Sequence, residues 1–181
     1  MANNATGAVA CSAMAPVFGG IEQYDNYFVW NAGRSELLAA KAESLTNGES
    51  LFNNCTSLTS LPEGLSFPAL TNGDHMFYRC TRLTSLPEGL SFPALTNGTF
   101  MFANCTSLTS LPEGLSFPAL TNGDYMFSGC NALTTADCTK ILNALPTYTS
   151  GSRTITLPNT DAAKAADTTI ATNKKWTVAY A

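Results

Sequence analysis

Between Leu45 and Leu133 the apolar residues fall into columns with a fixed step. Leu58, Leu83, Leu108 and Leu133 form one column, and Phe67, Phe92 and Phe117 form another; the step in each is 25 residues, which Cys55, Cys80, Cys105 and Cys130 also keep. Further columns are Leu61/Leu86/Leu111, Leu65/Leu90/Leu115 and Leu70/Leu95/Leu120. A period in this range predicts a stacked repeat. One such unit cannot enclose its own leucines, but stacked copies can, because each covers the same face of its neighbour. Burying a Leu or Phe contributes about 1.5 to 3 kcal/mol, so several columns together offset the entropy of ordering short coils.

The polar positions between the columns predict how each copy turns. Pro-Glu-Gly at Pro62 to Gly64, Pro87 to Gly89 and Pro112 to Gly114 fixes one φ and then supplies a permissive Gly. Asn-Gly at Asn72, Asn97 and Asn122 supplies residues that tolerate positive φ. The Leu-Thr-Ser-Leu run alternates as a short strand, and the Met-Phe-x-x-Cys run, as at Met76 to Cys80, predicts a helical turn on the opposite side. The expected fold class is an α/β repeat solenoid: coils with short parallel strands, 25-residue repeats and terminal caps. Three regions follow: residues 1–44 as N-terminal arm and cap, 45–134 as repeats, and 135–181 as a C-terminal cap.

The C-terminal region reads helix, strand, helix, strand over Ala136 to Leu145, Arg153 to Leu157, Asp161 to Thr172 and Lys175 to Tyr180. A repeat stack needs such an end, since an open one exposes core and strand edges. At the other end, Val17 to Trp30 is rich in aromatics and Arg34 to Glu43 favours helix. These residues fit an N-terminal cap, or an anchor that docks onto a larger assembly with Ala2 to Ala15 as its arm.

The phrase Met-Phe-x-x-Cys-Thr-x-Leu-Thr-Ser-Leu-Pro-x-Gly-Leu, followed by Phe-Pro-Ala-Leu-Thr-Asn-Gly, recurs almost verbatim. It resembles the BspA-type leucine-rich repeats of bacterial surface proteins over Leu45 to Leu133, and the tail, with Ile141 to Pro146, Thr154 to Pro158 and Thr169 to Tyr180, resembles the end of such proteins. The resemblance implies a leucine-rich-repeat coil on the cell surface or outside the cell, with a non-catalytic binding or adhesion role toward a host protein or polysaccharide.

Charge narrows the partners. Only 12% of residues are charged and the net charge is -4, which lacks the basic footprint that nucleic acid demands. No apolar run approaches the roughly 20 residues of a membrane span. The first residues carry no basic segment before their small-residue stretch, so a secretory leader is not evident. That leaves an alternative to the surface protein: a phage virion component, such as a fibre, decoration or receptor-binding protein, docked through residues 1–44.

Candidate chemistry is sparse. Four of the six cysteines repeat in one column, where parallel side chains about 4.8 Å apart are a poor match to disulfide geometry and predict a buried thiol ladder. Cys11 and Cys138 fall outside it, with no bond assigned. Zinc wants four clustered ligands, and the chain offers no Cys-x-x-Cys pair and one histidine, His75. Glu63, Glu88 and Glu113 form a carboxylate column that invites comparison with paired acids or a calcium row. Repetition copies a turn-corner Glu regardless of use, and near-identical environments do not separate two pKa values. The expectation is no enzyme, no catalytic residue, no metal and no cofactor.

The copies differ in one short window. After Asn-Gly they read Asp74 to Arg79, Thr99 to Asn104 and Asp124 to Gly129, with Met and Phe constant and their neighbours changed to His75, Phe100 and Tyr125 in one column. Tyr78/Arg79, Ala103/Asn104 and Ser128/Gly129 vary beside them, and Arg82 is the one change in the long shared segment. Solvent-exposed drift explains this, and so does a ligand patch, because Tyr, Phe and Arg are common anchors and aromatic faces stack on sugars. The candidate binding residues are His75, Tyr78, Arg79, Arg82, Phe100, Asn104 and Tyr125.

Overall fold

The computed structural model describes residues 45–56, 58–61 and 63–181, together with the backbone of residues 7–10 and 27–30. β1 (Gly7–Ala10) and β2 (Tyr27–Trp30) pair antiparallel, with Gly7 opposite Trp30. β1 falls within the segment expected to be an arm. The rest of residues 1–44, including the helix expected at Arg34 to Glu43, lies outside the described residues.

From Leu45 onward, each 25-residue copy lies against the next through two seams. Along the first, isolated parallel bridges join Asn47 to Asn72, Asn72 to Asn97 and Asn97 to Asn122. The side chains add a carboxamide ladder, in which Asn72 Nδ2 donates to Asn47 Oδ1 at 3.0 Å and Asn97 Nδ2 to Asn72 Oδ1 at 2.9 Å. Thr71, Thr96 and Thr121 each donate a hydroxyl at 3.0 Å to the threonine carbonyl one copy earlier. The Asn-Gly pair therefore serves a purpose other than positive φ. Neither residue adopts it; a Cβ at Gly73 would sit 3.1 Å from Met101 Sδ, so the glycine makes room for the next copy's methionine. Gly64, Gly89 and Gly114 at the Pro-Glu-Gly corners do have positive φ, from 75 to 77°.

The second seam corrects the helical turn expected at Met76 to Cys80. Alternate amides go to different places: Met76, Tyr78 and Cys80 donate back three residues to Gly73, His75 and Phe77, whereas His75, Phe77 and Arg79 donate across to Thr99, Met101 and Ala103 at 2.8–3.0 Å. A helix would bond every amide four residues back. Here half of them are needed between copies, so the run becomes overlapping tight turns. The first and third of these turns have left-handed third residues, His75 (φ 54°) and Arg79 (φ 59°), as do Phe100 (52°) and Asn104 (61°) one copy later, whereas Phe77 in the turn between them does not.

The Leu-Thr-Ser-Leu run is not a continuous strand. Thr84 N donates to Thr59 O at 3.1 Å and Thr109 N to Thr84 O at 3.0 Å, with one bridge between Ser85 and Ser110. Pro87 and Pro112 follow immediately, and proline has no N–H to extend a ladder.

Inside, equivalent side chains superpose along the stack. Phe52, Phe77, Phe102 and Phe127 stack with ring centroids 5.0, 5.3 and 5.4 Å apart. Phe67, Phe92 and Phe117 do so at 5.7 and 6.0 Å. Leu58, Leu83, Leu108 and Leu133 are buried in the same core.

The C-terminal region closes the stack. α1 (Thr135–Ala144) starts at a capping box between Thr134 and Asp137 and turns Cys138, Ile141 and Leu142 inward. β3 (Arg153–Leu157) takes the place of a further copy, bridging Gly123 through Ile155 and accepting the Phe127 amide on Thr156 O at 3.1 Å. β4 (Trp176–Tyr180) then pairs parallel to β3. The single helix expected over Asp161 to Thr172 is two, α2 (Asp161–Lys164) and α3 (Thr169–Asn173). Asp167 interrupts it by accepting the Thr169 amide at 2.9 Å and hydroxyl at 2.6 Å, a local bond that competes with helix continuation. Lys174 Nζ donates to the carbonyls of Leu142, Asn143 and Leu145 at the end of α1, joining the elements. Among the described residues no helix is long and apolar enough to cross a membrane.

Candidate functional site

The varied window of the repeats converges on one surface. The turn run holds His75, Phe100 and Tyr125 at the same point of successive copies, and their rings stack with centroids 4.8 and 4.7 Å apart and planes 25° and 3° from parallel. Tyr78 stands edge-on to His75 at 5.1 Å and to Phe100 at 6.1 Å. The Arg79 guanidinium lies 5.2 Å from the Tyr78 ring centroid. Five of the seven expected residues thus form a continuous strip. Tyr125 is 46% exposed, and no other large hydrophobic among the described residues is so open.

The other two stand apart. Arg82 is exposed at the third position of the turn that Leu83 N closes on Cys80 O at 3.0 Å. It touches none of the row's rings. Asn104 occupies the left-handed position equivalent to Arg79 and donates its amide to Ser128 O at 2.7 Å; a Cβ on Gly129 would overlap its carboxamide. Its role is in the seam.

The backbone makes this row costly. Ser50, His75, Phe100 and Tyr125 all have φ between 52 and 57°, where an ordinary L-residue loses about 1 to 2 kcal/mol. Ring stacking returns about 0.5 to 1.5 kcal/mol per pair. The neighbouring column shows the cheaper solution, since Asn54, Asn104 and Gly129 are residue types that tolerate this region. Arg79 is the exception there.

Stacking also decides what the row presents. The rings of His75, Phe100 and Tyr125 cover the faces they turn to one another. The flat platforms expected for sugar stacking are absent within the row. Asp74 is a site residue that sequence reasoning passed over: its Oδ1 lies 2.7 Å from His75 Nδ1 and orients the imidazole. Its adjacency to the chain's single histidine was the available signal.

A second concavity, of about 250 Å³, lies between the Pro112–Leu115 corner and α1, lined by Lys140 and Asn143. Glu113 Oε1 and Lys140 Nζ pair across it at 2.7 Å, and Lys140 also donates to Leu111 O at 3.1 Å. The hydrogen bond with Glu113 raises the lysine's pKa above its ordinary value. One member of the glutamate column is therefore neutralised by a cation from the cap.

The thiol column holds for three of its four members. Cys80, Cys105 and Cys130 are buried free thiols that donate to Phe52 O, Phe77 O and Phe102 O at 3.0–3.2 Å. Burial pushes the Cys80 thiol far above its usual pKa, and a hydrogen bond with Cys105 followed by burial raises Cys130. Cys55 departs from the expectation, being disulfide-bonded. Equivalence in sequence therefore does not give Cys55 the same chemistry as Cys80, Cys105 and Cys130. Cys138 is free, and burial lifts it to about 11; Cys11 lies outside the described residues. Among the described residues no group of three or more His, Cys, Asp or Glu is placed to hold a metal ion.

Comparison of the chain with protein-family models, curated proteins and solved structures finds no match.

Proposed function

We propose that the chain is an α/β leucine-rich-repeat solenoid of BspA type, with terminal caps, that works as a non-catalytic recognition or adhesion module on the cell surface or outside the cell. Amide-to-carbonyl bonds between positions one copy apart, and side chains stacked at about one strand spacing, support the solenoid. The observation that carries the binding role is the outer row. On a scaffold whose copies are otherwise nearly identical, His75, Phe100 and Tyr125 vary, remain accessible and occupy left-handed positions that a passive scaffold fills more cheaply with Gly or Asn.

The test uses residues the chain already tolerates in the same columns. Beads coated with the protein, or with the variant His75→Ser, Tyr78→Ala, Phe100→Ser, Tyr125→Ser, are passed over immobilised extracellular-matrix proteins and mucin-type glycoproteins. Ser50 and Ala103 provide the precedent for folding. Retention of the parent and its loss in the variant is the expected result. Equal retention of both sinks the proposed role for this row.

A further inference from the structure

The outer row is unequal along its length in charge. Between Lys41 and Lys140 the chain carries no lysine, and its only arginines there are Arg79 and Arg82, whereas carboxylates recur at Glu43, Glu49, Glu63, Asp74, Glu88, Glu113, Asp124 and Asp137. Among the described residues neither arginine forms an ion pair, and Asp74, the acid nearest Arg79 in sequence, is taken by His75. Arg79 spreads instead over the Tyr78 ring. The two arginines are three residues apart around one tight turn, so their Cα atoms are at most about 11 Å apart. Both replace residues that other copies show to be sufficient: Asn54 and Asn104 for Arg79, and Ser57 and Ser107 for Arg82.

Beside this cationic end, His75, Phe100 and Tyr125 cover the faces they turn to one another. A sugar ring docks on an aromatic face, which this row does not offer between its members. Side chains of a peptide pack without that requirement.

We propose that the strip from Arg79 to Tyr125, with Arg82 three residues beyond Arg79 as a second cation outside the ring contacts, docks an acidic segment of a partner protein, one that carries an aromatic or aliphatic residue beside its carboxylates. The guanidinium forks donate to the carboxylates, a pairing for which arginine is geometrically suited. The apolar residue lies against Phe100 and Tyr125. Arg79 contacts the ligand while held by Tyr78, so part of its ordering entropy is lost before binding. This proposal rests on the reading of the chain as a recognition module and names the partner's chemistry.

The probe is a glutamate–tyrosine copolymer, compared with polyglutamate and polygalacturonate, each titrated against the whole chain by fluorescence anisotropy. The copolymer binds more tightly than either comparator, and about 1 M NaCl, where the Debye length is roughly 3 Å, weakens it strongly. The variant Arg79→Asn, Arg82→Ser binds about tenfold more weakly or worse, with an unchanged or higher Tm, because the second copy then matches its neighbours. No binding of the copolymer, or equal binding by this variant, overturns the proposal. Polygalacturonate binding as tight as the copolymer overturns it in favour of an acidic glycan. If the arginine variant is unaffected while the four-residue row variant still loses bead retention, this inference falls and the recognition role stands. If the row variant keeps its retention, the recognition role itself falls.

Discussion

The inner column Phe52–Phe77–Phe102–Phe127 and the outer column His75–Phe100–Tyr125 are produced by the same step of the same chain. Both stack rings, at 5.0–5.4 Å inside and 4.7–4.8 Å outside. Inside, one residue type is repeated, since every neighbour of each Phe is itself a copied side chain and a change of volume would be felt on all sides. Outside, three residue types follow one another at backbone positions unfavourable to all three. Stability alone accounts for the first column. The second is held against a conformational cost, which is the pattern expected where side chains face something other than their own protein.

Three experiments break or sharpen this contrast. The largest effect is expected from Phe102→Ala, which removes the middle of the inner column from a fully buried site and costs about 3 to 5 kcal/mol; denaturant titration showing less than about 1 kcal/mol would mean the columns do not carry the fold. Next comes the pH dependence of the buried thiols. Burial holds Cys138 at about 11 against an ordinary 9.0, and Cys80 higher still. The folded state thus keeps protons that the unfolded state releases above about pH 9, so the contribution is full below that pH and declines as pH rises toward 11 and beyond. Unfolding midpoints measured from pH 8 to 11 should fall, and replacing Cys138 with Ala should reduce that slope. The smallest effect belongs to the outer column: Phe100→Asn relieves a left-handed aromatic and loses two stacking contacts, leaving stability within about 1 kcal/mol of the parent. A loss as large as that of Phe102→Ala would show that the two columns do the same job.

Much of the interior was legible because a copied sequence repeats its own contacts. Leu58, Leu83 and Leu108 announce one environment by their spacing alone, and the structure buries all three together. The backbone path was harder to read. Nothing in Phe or Tyr marks a left-handed residue, and beyond the enrichment of His there the hint lay one column away, where Asn54, Asn104 and Gly129 share a position. The Met-Phe-x-x-Cys run has the apolar content of a helical turn, but the destination of its amides depends on the neighbouring copy, which local propensity does not include. The Asn-Gly pairs misled for a similar reason: their usual meaning is a turn with positive φ, whereas here Asn builds a ladder and Gly yields space to a methionine. In the outer row, sequence identified which residues vary but not that their faces would be covered. That follows from the short spacing of the stack, and it leaves no open face between neighbouring rings of the row.

In the turn run, every amide that crosses between copies points from the earlier copy to the later one. The Thr71 and Thr84 amides cross the other way, to Thr46 and Thr59, so each side of a 25-residue unit carries both donors and acceptors in a fixed order that fits any other unit, as bricks of one mould do. Recombination between such similar stretches of gene deletes or inserts a whole course without opening the masonry. What changes is the length of the aromatic ridge, by one ring at a time, while the interior is left as it was.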